Sequence, residues 1–199
     1  MTLAFGVFMC EALLAYAAPM VESWTRPQRK RVHYSCHAAA GVCMLFGLLA
    51  AFQSHNLKLP VPMPNLYSAH SLLGMFCVLL FASQFGFGIV AYLYPQLSLP
   101  FRQSLAPLHK FVGMATWVCG LAAMATGLQE KATFTQTGKS LAGDALHSGV
   151  MRIPAIAVVL LALLGITVLY HQVVPVPAPP HAGATAEEGR ALLSGAPST

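Results

Sequence analysis

Uninterrupted apolar stretches alternate along the chain with short polar ones, and five of the apolar stretches approach the length of a membrane-crossing helix. A hydrocarbon core of ~30 Å takes about 20 helical residues at ~1.5 Å rise each. The pattern predicts helices over about 2–18, 33–52, 67–92, 109–127 and 153–171, the third long enough to tilt or to extend past the lipid. The only acid or base inside these runs is Glu11, apart from Lys110 at the rim of the fourth. The first run has a rival reading, because Leu14-Ala15-Tyr16-Ala17-Ala18-Pro19 resembles the small-residue cleavage site of a signal peptide. No positive residue precedes that run and Glu11 interrupts it; cleavage would also leave Arg26, Arg29, Lys30 and Arg31 on the exported side. The first run is therefore read as a span. Residues 1–172 then form an all-α, transmembrane helical bundle of five spans. The Pro/Ala/Gly-rich, low-complexity segment 173–199 is expected to be a disordered cytoplasmic tail.

Composition agrees with a bilayer environment. Of the 199 residues 56% are hydrophobic and 9% charged, against about a quarter charged in soluble domains. The net charge of +5 sits in short loops, with no basic patch interleaved with aromatics, so it reads as a topology signal and not as nucleic-acid affinity. The loop 22–32 carries four Lys/Arg, 53–66 only Lys58, and the next has Arg102 with Lys110 close behind. The first and third loops are expected to face the cytoplasm, which puts the start of the chain outside. Five cysteines, Cys10, Cys36, Cys43, Cys77 and Cys119, lie in apolar runs without a Cys-x-x-Cys and read as buried packing residues.

Histidines mark the mouths of three runs. In an alternating bundle His33 and His109 share a depth near the cytoplasmic face, and His70 lies near the opposite one. A neutral imidazole in hydrocarbon needs a partner, so each is a candidate functional group. Two at equal depth on facing helices can hold one planar cofactor, and haem iron takes axial histidine. The lack of Asp/Glu nearby argues against a carboxylate-rich divalent-metal site. A lone interfacial histidine with its tip in water is the bland alternative. His37, one turn beyond His33, is the alternative ligand or a brace for the porphyrin edge. His147, His171 and His181 read as surface residues, and His55 as an outer-loop residue.

Several stretches carry a family resemblance. Pro64-Asn65-Leu66-Tyr67-Ser68-Ala69-His70-Ser71 resembles the Asn-Leu-Tyr-Ser-Leu-His-Ser-Trp signature of the cytochrome b561 family. The pattern continues in Tyr94-Pro95, in Arg102 seven residues before His109, and in Gly127-Leu128-Gln129-Glu130-Lys131. Upstream, Glu11-Ala12-Leu13-Leu14-Ala15-Tyr16 and Lys30-Arg31-Val32-His33-Tyr34-Ser35-Cys36-His37 match that family's second and third helices, so the resemblance covers about 1–134.

The resemblance implies a six-helix bundle with two b-type haems, each held by two histidines. It also implies transfer of electrons from cytoplasmic ascorbate to monodehydroascorbate or a ferric chelate on the other side. The membrane would be endomembrane (vacuolar or vesicular) or plasma membrane, and a homodimer is compatible with the resemblance. By position His33 and His109 are implied as the iron ligands of the cytoplasmic-side haem b and His70 as one ligand of the outer haem. Lys30 and Arg102 are implied as ascorbate-binding residues, and His55 and Tyr67 as outer substrate residues. The chain departs from the family at its start: the first helix and the His-Pro partner of His70 would precede Met1, so an N-terminally truncated version with one complete haem site is expected. The competing readings are a non-catalytic fragment and a histidine-based metal or proton carrier; the latter would want polar residues strung between His33 and His70, where helices two and three offer mainly Cys, Ser83 and Gln84.

Overall fold

The computed structural model describes residues 1–18 and 23–174. Five helices follow one another: α1 (Leu3–Leu14), α2 (Arg26–Asn56), α3 (Ala69–Leu93), α4 (Leu99–Gly138) and α5 (Gly149–Val173). The last four are long and apolar enough to cross a membrane, and α1 is a shorter apolar helix. The first half of α1 and the last turn of α3 are π-helical. The expected tail falls outside the described residues except Val173, which still closes α5, and Val174.

The helices do not begin and end where the apolar runs do. α2 starts at Arg26 instead of at His33, because Thr25 and Gln28 cap each other reciprocally: Gln28 N–H donates to Thr25 Oγ1 at 3.4 Å and Thr25 N–H to Gln28 Oε1 at 2.7 Å. The basic residues 26–31 therefore belong to the helix. α3 starts close to its expected place, capped by the same device between Ser68 and Ser71. α4 was expected over 109–127 and runs over 40 residues, with a proline in its first turn and Pro107 inside it. α1 is shorter than expected. It ends at Leu14 in a tight turn, four residues before a proline-restricted position.

The packing is that of a lipid-facing bundle. α3 packs along α4, α4 along α5 and α1 along α2, while α1 also meets α4 and α5. The residues buried between helices are largely small: Ala4, Ala12, Ala40, Cys77, Gly120 and Gly165. Large apolar side chains such as Phe46, Phe111, Leu79, Ile153 and Ile166 point outward, each more than 60% exposed. That is the reverse of a soluble core, and small residues at helix contacts are what close packing in lipid favours. Threonine hydroxyls are satisfied within their own helices, for example Thr116 Oγ1 on the Val112 carbonyl at 2.8 Å and Thr167 Oγ1 on that of Leu163 at 2.9 Å. Trp117 is fully buried, and its indole N–H donates to the Phe5 carbonyl at 2.9 Å, tying α4 to α1.

Candidate functional site

The alternation of helices brings the starts of α2 and α4 together with the ends of α1, α3 and α5 at one end, termed the first face. Lys110 Nζ donates there to the Gln172 carbonyl at 3.4 Å, and Gln172 Nε2 to the Leu13 carbonyl at 2.8 Å. The opposite end, the second face, holds the end of α2 and the starts of α3 and α5.

Near the first face an imidazole cluster forms in otherwise apolar surroundings. His33 and His109 are not at the helix mouths as expected. They lie two turns or more inside α2 and α4, because both helices start earlier than their apolar runs. The matched depth inferred from alternation survives the correction. The rings of His33 and His37 are 4.5 Å apart, and α3 lies against both His37 and His109, through Phe81 and Phe87. Tyr16 packs edge-on against His33 at 5.3 Å. Tyr92 and Phe87 flank His109 at 5.3 and 5.9 Å, and Phe81 flanks His37 at 5.9 Å. Gly88 lets α3 approach this ring: a methyl there would meet His109 Cε1 at 3.4 Å.

The hydrogen bonds fix the chemistry of these rings. His33 Nδ1 lies 2.8 Å from the Ala12 carbonyl. A carbonyl only accepts, so Nδ1 carries the proton and Nε2 is left as the lone-pair nitrogen, the tautomer that a backbone carbonyl imposes on metal-binding histidines. The Nδ1 atoms of His37 and His109 are buried without a partner. Two unsatisfied imidazoles and one whose Nε2 is free, inside an aromatic and apolar wall, are a donor set that fits an iron porphyrin held through nitrogen.

Lys30 and Arg102 meet above this cluster through Tyr92. Lys30 Nζ donates to the Tyr92 carbonyl, and the Tyr92 hydroxyl donates to the Arg102 carbonyl at 3.3 Å. Arg102 Nε is buried with no partner. Tyr92, the hub, was not singled out from sequence; its clue was an aromatic residue closing an apolar run, as at membrane interfaces.

At the second face His70 is the second residue of α3, as expected. Its Nδ1 donates to the Ala123 carbonyl at 2.7 Å, again leaving Nε2 as the acceptor. His55 is not in a loop: it belongs to the last turn of α2, which runs on through the polar residues Gln53, Ser54, His55 and Asn56, and its Nδ1 is buried without a partner. His55, His70 and Asn65 line one cavity of about 170 Å³, whose wall includes Gly47, Gly74 and Gly120. Asn65 Nδ2 donates to Asn56 Oδ1 at 2.8 Å and holds the loop over it. Tyr67 stands apart, half exposed, with no hydrogen bond among the described residues.

Known proteins resemble this chain in sequence. The profile of the family described as eukaryotic cytochrome b561 matches residues 1–135. Transmembrane ascorbate ferrireductase 2 of Arabidopsis thaliana is 34% identical over 169 residues, 85% of this chain and 70% of that protein. The human lysosomal membrane ascorbate-dependent ferrireductase CYB561A3 is 37% identical over 131 residues, 65% of this chain and 52% of its own. The plasma membrane ascorbate-dependent reductase CYBRD1 of Xenopus laevis is 32% identical over 124 residues, 62% and 43% respectively. The chain thus spans between 43% and 70% of the length of these relatives. With the profile covering two thirds of its length and four helices able to cross a bilayer, the chain belongs to the eukaryotic cytochrome b561 family and is a multi-pass integral membrane protein.

Proposed function

We propose that this protein is a haem b-containing, ascorbate-dependent transmembrane reductase. It takes electrons from ascorbate at the first face, which is cytoplasmic, and passes them to monodehydroascorbate or a ferric chelate at the second. The bilayer would be an endomembrane or the plasma membrane, in line with the lysosomal and plasma-membrane names of its relatives. The observation that carries the reading is the imidazole cluster of α2 and α4 in an apolar interior, with the Lys30 ammonium and the Arg102 backbone both held by Tyr92 beside it.

Haem b, when bound, supplies reversible one-electron storage. His33 and His109 would hold it, His33 already locked in the ligating tautomer by the Ala12 carbonyl. Phe81 and Phe87 keep water from the rings. Lys30 and Arg102 attract the ascorbate anion by their charge. At the second face His70 would be one ligand of a second haem. His55, lining the same cavity, would serve the acceptor as proton donor or acceptor.

Difference spectra of the purified protein, dithionite-reduced minus oxidised, test the assignment. The intact chain should give six-coordinate b-type bands that fall when His33→Ala or His109→Ala is introduced and persist in His37→Ala. A colourless wild-type protein overturns the haem reading; loss of the bands in His37→Ala, with His33→Ala unaffected, moves the ligand to His37.

A further inference from the structure

Three positions of α4 meet the first turn of α3, and they share one face of the helix by their spacing: Ala123, Gly127 and Glu130. Each does something different to the residues around His70. The Ala123 carbonyl accepts from His70 Nδ1 at 2.7 Å and also from the Thr126 hydroxyl at 2.9 Å. Gly127 leaves the space the ring occupies, since a methyl group there would come within 2.7 Å of Cε1 and 2.8 Å of Nδ1. Glu130 Oε2 accepts from the hydroxyl of Ser68 at 3.1 Å. Ser68 is the residue that caps α3: its Oγ accepts from Ser71 N–H at 3.2 Å, and Ser71 Oγ accepts from Ser68 N–H at 3.1 Å. The carboxylate therefore holds the cap, and the cap fixes where His70 begins its helix. Glu130 and His70 also line one cleft, together with Gln129 and Thr133.

We infer that Glu130 is a positioning residue for His70: by holding the Ser68 cap against α4 it keeps the His70 ring in the Gly127 notch, with Nδ1 on the Ala123 carbonyl and Nε2 turned to the interior. Glu130 has no hydrogen bond to the imidazole, whose Nδ1 is on the Ala123 carbonyl; it acts through Ser68. A hydroxyl donating to a carboxylate makes a stronger hydrogen bond than a neutral pair. The inference gives a use to the Gly-x-x-Glu spacing of residues 127–130 that electron transfer by itself does not require. It deepens the proposed function, since it names what orients the second-face ligand.

The tautomer of His70 reports the arrangement without any cofactor. The 199-residue chain, labelled with ¹⁵N-histidine and reconstituted in phosphatidylcholine bilayers, is measured by solid-state NMR, with His70→Gln identifying the His70 signals. The wild type should show one neutral tautomer with the proton on Nδ1. Glu130→Ala should raise the Nε2–H form roughly fivefold, the ratio expected when one neutral hydrogen bond slackens. Ser68→Ala should do the same, and Thr133→Ala, in the same cleft, should do nothing. Glu130→Gln keeps an amide oxygen for the Ser68 hydroxyl and should restore most of the wild-type signal, which also covers the case in which the alanine variant does not fold. An unchanged tautomer in both Glu130→Ala and Ser68→Ala overturns the inference. So does a Glu130→Gln protein as disturbed as Glu130→Ala, because the carboxylate would then act by its charge and not by holding the cap. A protein that never binds haem would sink the reductase reading and leave this measurement intact.

Discussion

Gly120 of α4 sits against the ring of Phe5, and replacing it with alanine sets two effects of opposite sign against each other. A methyl group built there would come within 2.8 Å of Phe5 Cγ and closer still to Cδ1 and Cε1. Ordinary van der Waals contact begins near 3.4 Å, so the ring or a helix must give way by more than half an ångström. Phe5 is only 4% exposed, its carbonyl holds the Trp117 indole, and Trp117 is fully buried, so neither side can swing aside. Overpacking of this kind costs about 1–3 kcal/mol. The same substitution also gains about 0.8–1 kcal/mol of helix propensity. Gly113, on the same helix, has nothing within 4 Å of the added methyl and collects the propensity gain alone. The propensity term cancels between the two variants, which leaves Gly120→Ala about 1–3 kcal/mol less stable than Gly113→Ala. At ~2–4 °C per kcal/mol for a chain of this size, its melting temperature should lie about 2–12 °C lower. A thermal scan in detergent with a thiol-reactive fluorogenic maleimide reads this directly, because Cys10 and Cys77 are buried until the bundle opens. Unfolding from detergent is commonly irreversible, so the variants are compared at one scan rate. Equal melting temperatures for the two alanine variants would refute the packing argument.

Other outcomes follow from the same structure. Gly127→Ala should displace the His70 ring, since the methyl would lie within 2.8 Å of Nδ1; ¹⁵N signals of His70 should then lose the single tautomer, while helix content by circular dichroism stays unchanged. Arg102→Ala and Lys30→Ala should each raise the KM for ascorbate about 10- to 100-fold, the loss of one charge-assisted hydrogen bond, with smaller effects on a neutral reductant; stopped-flow reduction of the bound chromophore measures both. Thr116→Val should be neutral to within about 1 kcal/mol in the same thermal scan although Thr116 is 1% exposed, because its hydroxyl bonds only a carbonyl of its own helix and valine keeps the shape.

The depth of the histidines was readable because alternation of spans needs only their order and number. His70 was placed almost to the residue, because here the apolar run and the helix open together; the Ser68–Ser71 cap fixes that start. His33 and His109 were placed at the right end but at the wrong point of their helices. An apolar run marks where lipid begins; backbone hydrogen bonds can continue into water past that border, and in α2 a Thr-Gln cap let them do so. His55 was misassigned to a loop for the same reason. The role of Tyr92 was out of reach. It holds Lys30 with a backbone carbonyl, which every residue possesses, and that carbonyl is available because the last turn of α3 widens and ends there. The Ala123 and Ala12 carbonyls that set the tautomers of His70 and His33 were invisible for the same cause.

The 40 residues of α4 have a consequence for long-range order. At ~1.5 Å per residue such a rod is about 60 Å long, twice the hydrocarbon thickness. One uninterrupted stretch of it carries His109 at one end and the residues that seat His70 at the other, and Pro107 falls outside that stretch. The two ends are therefore spaced by a rigid ruler, whose graduations no connecting segment can alter. One residue inserted between Lys110 and Ala122 would twist the far end by about 100° against the near one.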